Sequence, residues 1–133
     1  MKIIFISMSS YGEGISGGDR IYIEFARNWS QKNKVEIVLW EEGLKMLKRQ
    51  NFSSKSVKVH LLKMKDISNF GFIINYFARI ARSLLFSLIV NLENERTIIY
   101  SSSEFLMDVL PAFILKLRYP KLVWVATWYQ TAP

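Results

Sequence analysis

The sequence predicts an α/β protein with a doubly wound, mainly parallel sheet and helices on both faces, and three observations favour this class. The chain opens with four consecutive apolar residues, 3–6, which suit a strand that is covered on both faces. A loop with glycines and an amphipathic segment follow, as in a strand-loop-helix unit. Strand and helix patterns then alternate along the chain, which is typical of Rossmann-like sheets.

The first helix is predicted over about residues 17–31. Ser16 is its expected N-cap, and Asp19 three residues later completes a capping box in which Asp replaces Glu. The free backbone N–H groups of such a helix tip, beside a glycine loop, suit anionic or hydroxyl-rich ligands. The alternative is a plain loop with a good helix cap. We predict no dinucleotide or P-loop nucleotide site and no other cofactor.

The remaining elements follow in chain order within one domain, 1–133. Strands are predicted over 34–40, 56–62, 97–100 and 121–126, and helices over 44–50, over 70–92 and after the fourth strand. Ser101 and Glu104 form an expected capping box for the last helix. Pro111 inside that helix is expected to bend it or to mark a restart.

The segment 70–92 is the most apolar of the chain, and its length would span a bilayer. Arg79 and Arg82 near its middle argue against spanning, because each costs about 3 kcal/mol on insertion scales. Asn75, Arg79 and Arg82 lie one turn apart and form a polar strip. We therefore favour a helix packed on the sheet over a helix lying on a membrane surface.

The composition excludes several kinds of site. The chain has no cysteine, so it has no disulfide, thiolate metal site or cysteine nucleophile. Its single histidine, His60, excludes a multi-histidine metal site, and in a predicted strand it is expected to be structural. We predict no catalytic residue and no metal site. No signal peptide is apparent, so the chain is expected in the cytosol.

The segment 45–65 accounts for the whole formal charge of +7, because it has seven basic residues and no acidic one. Such a segment attracts the phosphates of nucleic acids, anionic lipids or nucleotides, and the alternative is a solvated face. Its basic residues are Lys45, Lys48, Arg49, Lys55, Lys58, Lys63 and Lys65.

Three predicted loops, 9–18, 101–104 and 127–133, follow the carboxyl ends of strands, where parallel sheets bind their ligands. The last loop carries Trp128 and Tyr129, whose rings suit stacking on a sugar. The predicted substrate-binding residues are Gly17, Gly18, Asp19, Arg20, Ser102, Ser103, Trp128 and Tyr129.

Several stretches together resemble the start of retaining GT-B glycosyltransferases of the family 4 type. The first holds the glycine pair and arginine of 16–20, and the others are 35–39, 100–103, 108–111 and 124–128. The resemblance implies two Rossmann-like domains facing a cleft, of which this chain is the N-terminal, acceptor-binding half. It also implies that Gly17 and Gly18 border the donor phosphate or the acceptor. Thr127, Trp128 and Tyr129 stand where many members have a histidine.

The family binds its nucleotide-sugar donor in the second domain through two glutamates spaced by seven residues. No pair of glutamates in this chain has that spacing. We therefore expect an excerpt of a longer enzyme, or a subunit needing a donor-binding partner, that is inactive alone. The expected acceptor is a glycan or a lipid-linked precursor at the cytoplasmic membrane face, with peripheral contact to anionic lipid. The alternative is a non-catalytic basic module that binds nucleic acid or an acidic protein, although aromatic and basic residues are not interleaved as single-strand binders require.

Overall fold

A computed structural model describes residues 1–10, 14–52, 57–64, 67–92 and 96–129, with only the backbone of Ser68. It contains a five-stranded, all-parallel sheet in the order β3-β2-β1-β4-β5. The strands are β1 (Lys2–Ile6), β2 (Lys34–Trp40), β3 (Val57–Leu62), β4 (Thr97–Ser101) and β5 (Val123–Ala126). The helices are α1 (Gly17–Trp29), α2 (Glu41–Arg49), α3 (Phe72–Ile89) and α4 (Leu106–Arg118), and a 3₁₀ turn (Ser68–Phe70) precedes α3.

The central strand β1 separates two apolar cores, which confirms the predicted fold class. Ile3 and Phe5 point to one face of the sheet, where they pack with α1 and α2. Ile4 and Ile6 point to the other face, where they pack with α3 and α4. Because successive side chains of a strand alternate between faces, a strand buried on both faces has to be apolar throughout.

The start of α1 has the predicted capping box. The Ser16 hydroxyl accepts a hydrogen bond from the Asp19 backbone N–H at 3.1 Å, and the Asp19 carboxylate accepts one from the Ser16 N–H at 2.8 Å. Each residue satisfies a backbone group that the first helical turn leaves without a partner.

Two predicted helix starts were wrong. α2 begins at Glu41 directly after β2, three residues before the predicted start. α4 begins at Leu106, so Ser101 and Glu104 do not form its capping box. Ser101 instead extends β4, where it pairs with Ile6 of β1 and with a residue of β5. The sheet ladder therefore prevails over a local capping pattern. α4 continues without a restart through Pro111.

The polar strip predicted along α3 is also wrong as a solvent-facing strip, because Arg79 is 8% exposed and faces the sheet. Its guanidinium donates to Glu42 at 2.7 Å and to the Asn75 side-chain oxygen at 3.1 Å. It also lies 5.3 Å from the centre of the Trp40 ring. A carboxylate at the start of α2 thus draws the arginine inward. α3 packs on the sheet as predicted, but its apolar side chains largely face outward.

A second buried polar group lies under α3. The Glu36 carboxylate contacts Lys2 Nζ at 3.0 Å and His60 Nε2 at 2.6 Å. Burial alone would raise the pKa of the Glu36 carboxyl, but the hydrogen bonds from Lys2 and His60 outweigh it and hold that pKa below its ordinary value. The contact confirms that His60 is structural.

Candidate functional site

A cavity of about 690 Å³ opens at the carboxyl edge of the sheet, above the neighbouring strands β1 and β4. The chain leaves these two strands in opposite directions, and ligands of doubly wound sheets bind at such a switch point. The predicted loops after β1, β4 and β5 all contribute to its wall. The lining residues are Ser9, Gly14, Ile15, Ser16, Gly17, Gly18, Asp19, Ile21, Ser102, Ser103, Glu104, Phe105 and Tyr129.

The two long walls of the cavity are joined beneath it by Asp108 of α4, which is fully buried. One carboxylate oxygen accepts hydrogen bonds from the backbone N–H groups of Met8 at 2.5 Å and Ser9 at 3.1 Å. The other oxygen contacts the hydroxyls of Ser9 at 2.7 Å and Ser103 at 2.5 Å. One side chain thus fixes the loop after β1 against the loop after β4.

Burial raises the pKa of Asp108 to about 6, although the hydrogen bonds from Ser103, Ser9 and Met8 favour its charged form. The carboxyl therefore changes its protonation near neutral pH in the folded protein. Because the carboxyl lies below the lining residues and its hydrogen bonds to described residues go to the loops that form the walls, its role is to position those loops.

The helix tip that borders the cavity already carries a negative charge. The Asp19 carboxylate accepts hydrogen bonds from Ser16 and Ser10, so the start of α1 is stabilised by a group of the chain itself. Glu104 lines the cavity with a second carboxyl, whose Oε2 is buried and has no hydrogen-bond partner among the described residues. Among the described residues, the lining contains no lysine or arginine. A phosphate ligand would therefore be repelled, whereas hydroxyl groups would find acceptors.

Two glycines allow close approaches around this site. A Cβ at Gly18 would lie 2.8 Å from the Tyr129 ring, so the loop after β5 contacts the tip of α1 only because residue 18 lacks a side chain. A Cβ at Gly43 would lie 2.9 Å from the backbone oxygen of Ser10, at the root of the glycine loop. At Gly17 an added Cβ would meet no atom within 4 Å.

The structure brings together six of the eight predicted substrate-binding residues. Those that line the cavity are Gly17, Gly18, Asp19, Ser102, Ser103 and Tyr129. Arg20 lies elsewhere, in a smaller concavity with Glu24 and Arg27, and Trp128 is not part of the lining. Because helical neighbours are separated by about 100°, Arg20 points away from the face that Asp19 presents.

Sequence reasoning missed the cavity residues Ser9, Glu104 and Phe105 and the positioning residue Asp108 as parts of a site. Glu104 was expected to cap a helix and was not singled out as a ligand contact, although its loop, 101–104, was predicted to lie at the ligand-binding edge. Asp108 was quoted only within the stretch 108–111 of the family resemblance. Its contacts with Met8 and Ser9 span about a hundred residues of the chain, so no local pattern shows them.

The predicted basic residues do not form one surface with the cavity. Lys45, Lys48 and Arg49 are exposed on α2, and Lys45 lies 3.4 Å from Glu41. Lys58 and Lys63 are exposed on β3 and just after it. The remaining two residues of the predicted patch, Lys55 and Lys65, lie outside the described residues.

The glycines at 12, 14 and 17 have the spacing G-x-G-x-x-G, which our prediction of no dinucleotide site did not take into account. The dinucleotide fingerprint follows its strand immediately, because its first glycine makes the tight turn out of that strand. Here β1 ends at Ile6, and five residues separate it from the first of the three glycines. Asp19 near the helix tip also opposes a pyrophosphate, so the spacing alone does not indicate a dinucleotide.

The chain matches no protein-family model, no curated protein and no solved structure. The resemblance to GT-B glycosyltransferases therefore remains a prediction from the residues quoted above. Within the described part of the chain, no group of three or more His, Asp or Glu side chains would hold a metal ion.

Proposed function

We propose that this chain is the acceptor-binding, N-terminal half of a GT-B glycosyltransferase and that its cavity binds a sugar of the acceptor. The observation that carries the proposal is the cavity at the switch point of the sheet, whose described wall has carboxyls and aromatic rings but no basic residue. The residues quoted for the family resemblance supply the enzyme class.

The chemistry of the wall suits a hydroxyl-rich ligand. Glu104 Oε2 is buried without a hydrogen-bond partner among the described residues, and a sugar hydroxyl would donate to it. Phe105 and Tyr129 contribute aromatic rings whose flat faces pack on the C–H groups of a pyranose. A sugar therefore satisfies both the polar and the apolar parts of this wall.

The same wall opposes the diphosphate of a nucleotide-sugar donor. Asp19 and Glu104 are acidic, and no lysine or arginine in the part of the chain that the structure describes lines the cavity to compensate them. The donor then needs a second domain with its own anion site, as the family resemblance implies. Transfer of sugar by this chain alone is not expected.

Titration of the labelled chain with methyl glycosides and with UDP, followed by NMR, tests the proposal. We expect saturable shifts from at least one glycoside at residues 14–19 and 102–105, and weaker binding of UDP. Glu104→Gln keeps the volume but removes the charge, so its glycoside affinity should fall by about fivefold, equivalent to about 1 kcal/mol.

Glu41→Gln serves as the matched control, because Glu41 is exposed on α2 and does not line the cavity. Its glycoside affinity should equal that of the unchanged chain. Shifts at the cavity from UDP but from no glycoside would overturn the proposal, since they would indicate an anion site.

The alternative function, a basic module for nucleic acid or an acidic protein, is supported only by the exposed lysines and arginines of α2 and β3. Filter binding with single-stranded DNA over a salt series separates the two functions. Submicromolar, steeply salt-dependent binding that Lys48→Gln/Arg49→Gln weakens would favour the alternative.

A further inference from the structure

The helix α3 is amphipathic in the reverse sense for a helix on the surface of a soluble protein. Its buried residues include Arg79, Ser83 and Ser87, and the two serine hydroxyls donate to backbone carbonyls of their own helix. Its outward face is apolar along the whole helix. The large exposed side chains of that face are Ile73, Ile74, Phe77, Leu85, Leu88 and Ile89.

The neighbouring helix α4 extends this apolar face. α4 packs alongside α3 and exposes Leu106, Phe113 and Leu117. At their helical spacing these three side chains lie on one face of α4. Two adjacent helices therefore present apolar side chains on the same side of the sheet. A patch of this extent on a protein surface marks an interaction site.

The exposed charged side chains of α3 and α4 themselves are of one sign. Asp108 is the only acidic residue within the two helices, and it is buried. Arg82 is exposed on one flank of α3. Its neighbours on that flank, Arg79 and Phe86, face β2 and β3. Lys58 and Lys63 are exposed along the same edge of the sheet. An apolar face with a basic margin complements an anionic lipid surface.

The same contacts exclude a helix that spans the bilayer in this fold. α3 has the length and the mean hydropathy of a spanning helix, 1.4 over 18 residues, with 22% of that window buried. Spanning would break the ion pair of Arg79 with Glu42 and expose the buried side chains of Ser83 and Ser87 to lipid. A helix that stays on the sheet and immerses only its outer face keeps all of these contacts.

We propose that the outer α3/α4 face lies in the headgroup region of an anionic bilayer, with α3 parallel to the membrane plane. Helices that follow strands of a parallel sheet start at the carboxyl edge, so α3 and α4 both begin at the edge that carries the cavity. Phe105 lines the cavity and Leu106 after it belongs to the face. This geometry would bring the sugar of a lipid-linked acceptor from the membrane surface to the cavity, a step that rests on the proposed function.

Vesicle co-sedimentation tests the contact. The probes are vesicles of phosphatidylglycerol and phosphatidylcholine in equal parts, and vesicles of phosphatidylcholine alone. Phe77 and Leu88 are 62% and 54% exposed, so Phe77→Gln/Leu88→Gln should leave the melting temperature unchanged. This variant should bind the anionic vesicles at least about tenfold more weakly.

The matched control is Val123→Gln/Val125→Gln, which removes two exposed apolar side chains of β5 that belong to neither helix of the face. It should bind vesicles as the unchanged chain does. In a second readout, brominated lipid should quench the emission of Phe77→Trp more strongly than that of the unchanged chain, whose four Trp residues set the baseline, whereas Val123→Trp should show no such increase.

Three outcomes would overturn the proposal. They are equal vesicle binding by the two double variants, no quenching in the Phe77→Trp protein, and a stable dimer that Phe77→Gln/Leu88→Gln dissociates while no vesicle is bound. The proposed function fails separately, because glycoside titration uses soluble sugars and no lipid.

Discussion

The two helical layers of this protein differ in the side chains that they bury and in those that they expose. The layer of α1 and α2 buries apolar side chains such as Tyr22, Ile23 and Met46 and exposes lysine, arginine and glutamate. The layer of α3 and α4 also buries apolar side chains such as Ile80 and Leu115, but it buries Arg79 and Asp108 with them and exposes phenylalanine, leucine and isoleucine. The comparison teaches that one sheet supports two outer surfaces of different chemical character.

The difference extends to what stabilises each layer. Under α1 and α2 stability comes from packing, whereas under α3 and α4 it also depends on satisfied buried polar groups. Removing a polar partner should therefore harm the second layer, and adding volume should harm the first. Four predictions test or sharpen this comparison.

The largest effect is expected at Asp108, the most buried polar group under α4. Asp108→Ala leaves the N–H groups of Met8 and Ser9 without an acceptor and should lower the free energy of unfolding by about 2–4 kcal/mol. Asp108→Asn keeps one acceptor for both N–H groups, and its amide donates to hydroxyls that rotate. It should stay within about 1 kcal/mol of the unchanged chain.

The pH dependence sharpens this prediction. The pKa of Asp108 is raised from 3.8 to about 6 in the folded protein, so its stabilising contribution is complete below pH 3.8 and is lost as the pH rises through about 6. Chemical denaturation across this range should show a decline in the unchanged chain that Asp108→Asn lacks. If the free energy of unfolding of the unchanged chain instead rose with pH relative to that of Asp108→Asn, the folded site would favour the carboxylate.

The next effect is expected at the ion pair beneath α3. Glu42→Ala removes the carboxylate 2.7 Å from Arg79 and should cost about 1–3 kcal/mol, less than a fully buried pair because the Glu42 side chain is 37% exposed. The bond to Arg79 and its charge outweigh burial and lower the pKa of Glu42, so this contribution is present above the ordinary value of 4.5 and is lost as the pH falls below it.

Glu41→Ala is the control, since Glu41 has only an exposed contact with Lys45. It should change the free energy of unfolding by less than about 1 kcal/mol. Equal effects of the two variants in urea titrations would show that the buried side of α3 does not depend on this pair.

A third effect belongs to the packed layer of α1 and α2. Gly43→Ala places a methyl group 2.9 Å from the Ser10 carbonyl and 3.3 Å from Leu39 Cβ. We expect a net loss of about 1–2 kcal/mol, because the overpacking exceeds the gain of about 1 kcal/mol in helix propensity. Thermal unfolding measures it, with Gly17→Ala as the open-space control. A more stable Gly43→Ala protein would contradict tight packing there.

The smallest effect is expected where the loop after β5 reaches α1. Gly18→Ala moves the Tyr129 ring, so it should change stability by no more than about 0.5 kcal/mol, since Tyr129 is a partly exposed loop residue. It should weaken glycoside binding by about threefold through the displaced ring. Gly17→Ala should bind glycosides as the unchanged chain does, and a similar loss in both variants would rule out the contact as the cause.

The sequence allowed the fold to be predicted wherever the signal was local. Four consecutive apolar residues at 3–6 sufficed for the central strand, and Ser16 with Asp19 sufficed for the cap of α1. Arg79 was assigned to water because no local pattern announces a partner, Glu42, that lies 37 residues earlier in the chain. Ser101 was assigned to a cap because the pattern does not show the ladder with β1 and β5.

The candidate site was predicted at the level of loops and less well at the level of side chains. The carboxyl ends of parallel strands meet at one edge, so the three loops could be foreseen. Which side chains of those loops face the cavity depends on local backbone paths, so Phe105 and Glu104 were not singled out, and Trp128 lies outside the lining.

The indole of Trp40 contacts both the wall of the cavity and helix α3. Its N–H donates to the Met8 carbonyl at 2.7 Å, at the root of the cavity wall, and its ring faces the Arg79 guanidinium of α3. A shift of α3 and a shift of that wall therefore both alter the surroundings of a single chromophore. With Trp29, Trp124 and Trp128 replaced by Phe, its ultraviolet emission would report whether a change at α3 reaches the wall of the cavity.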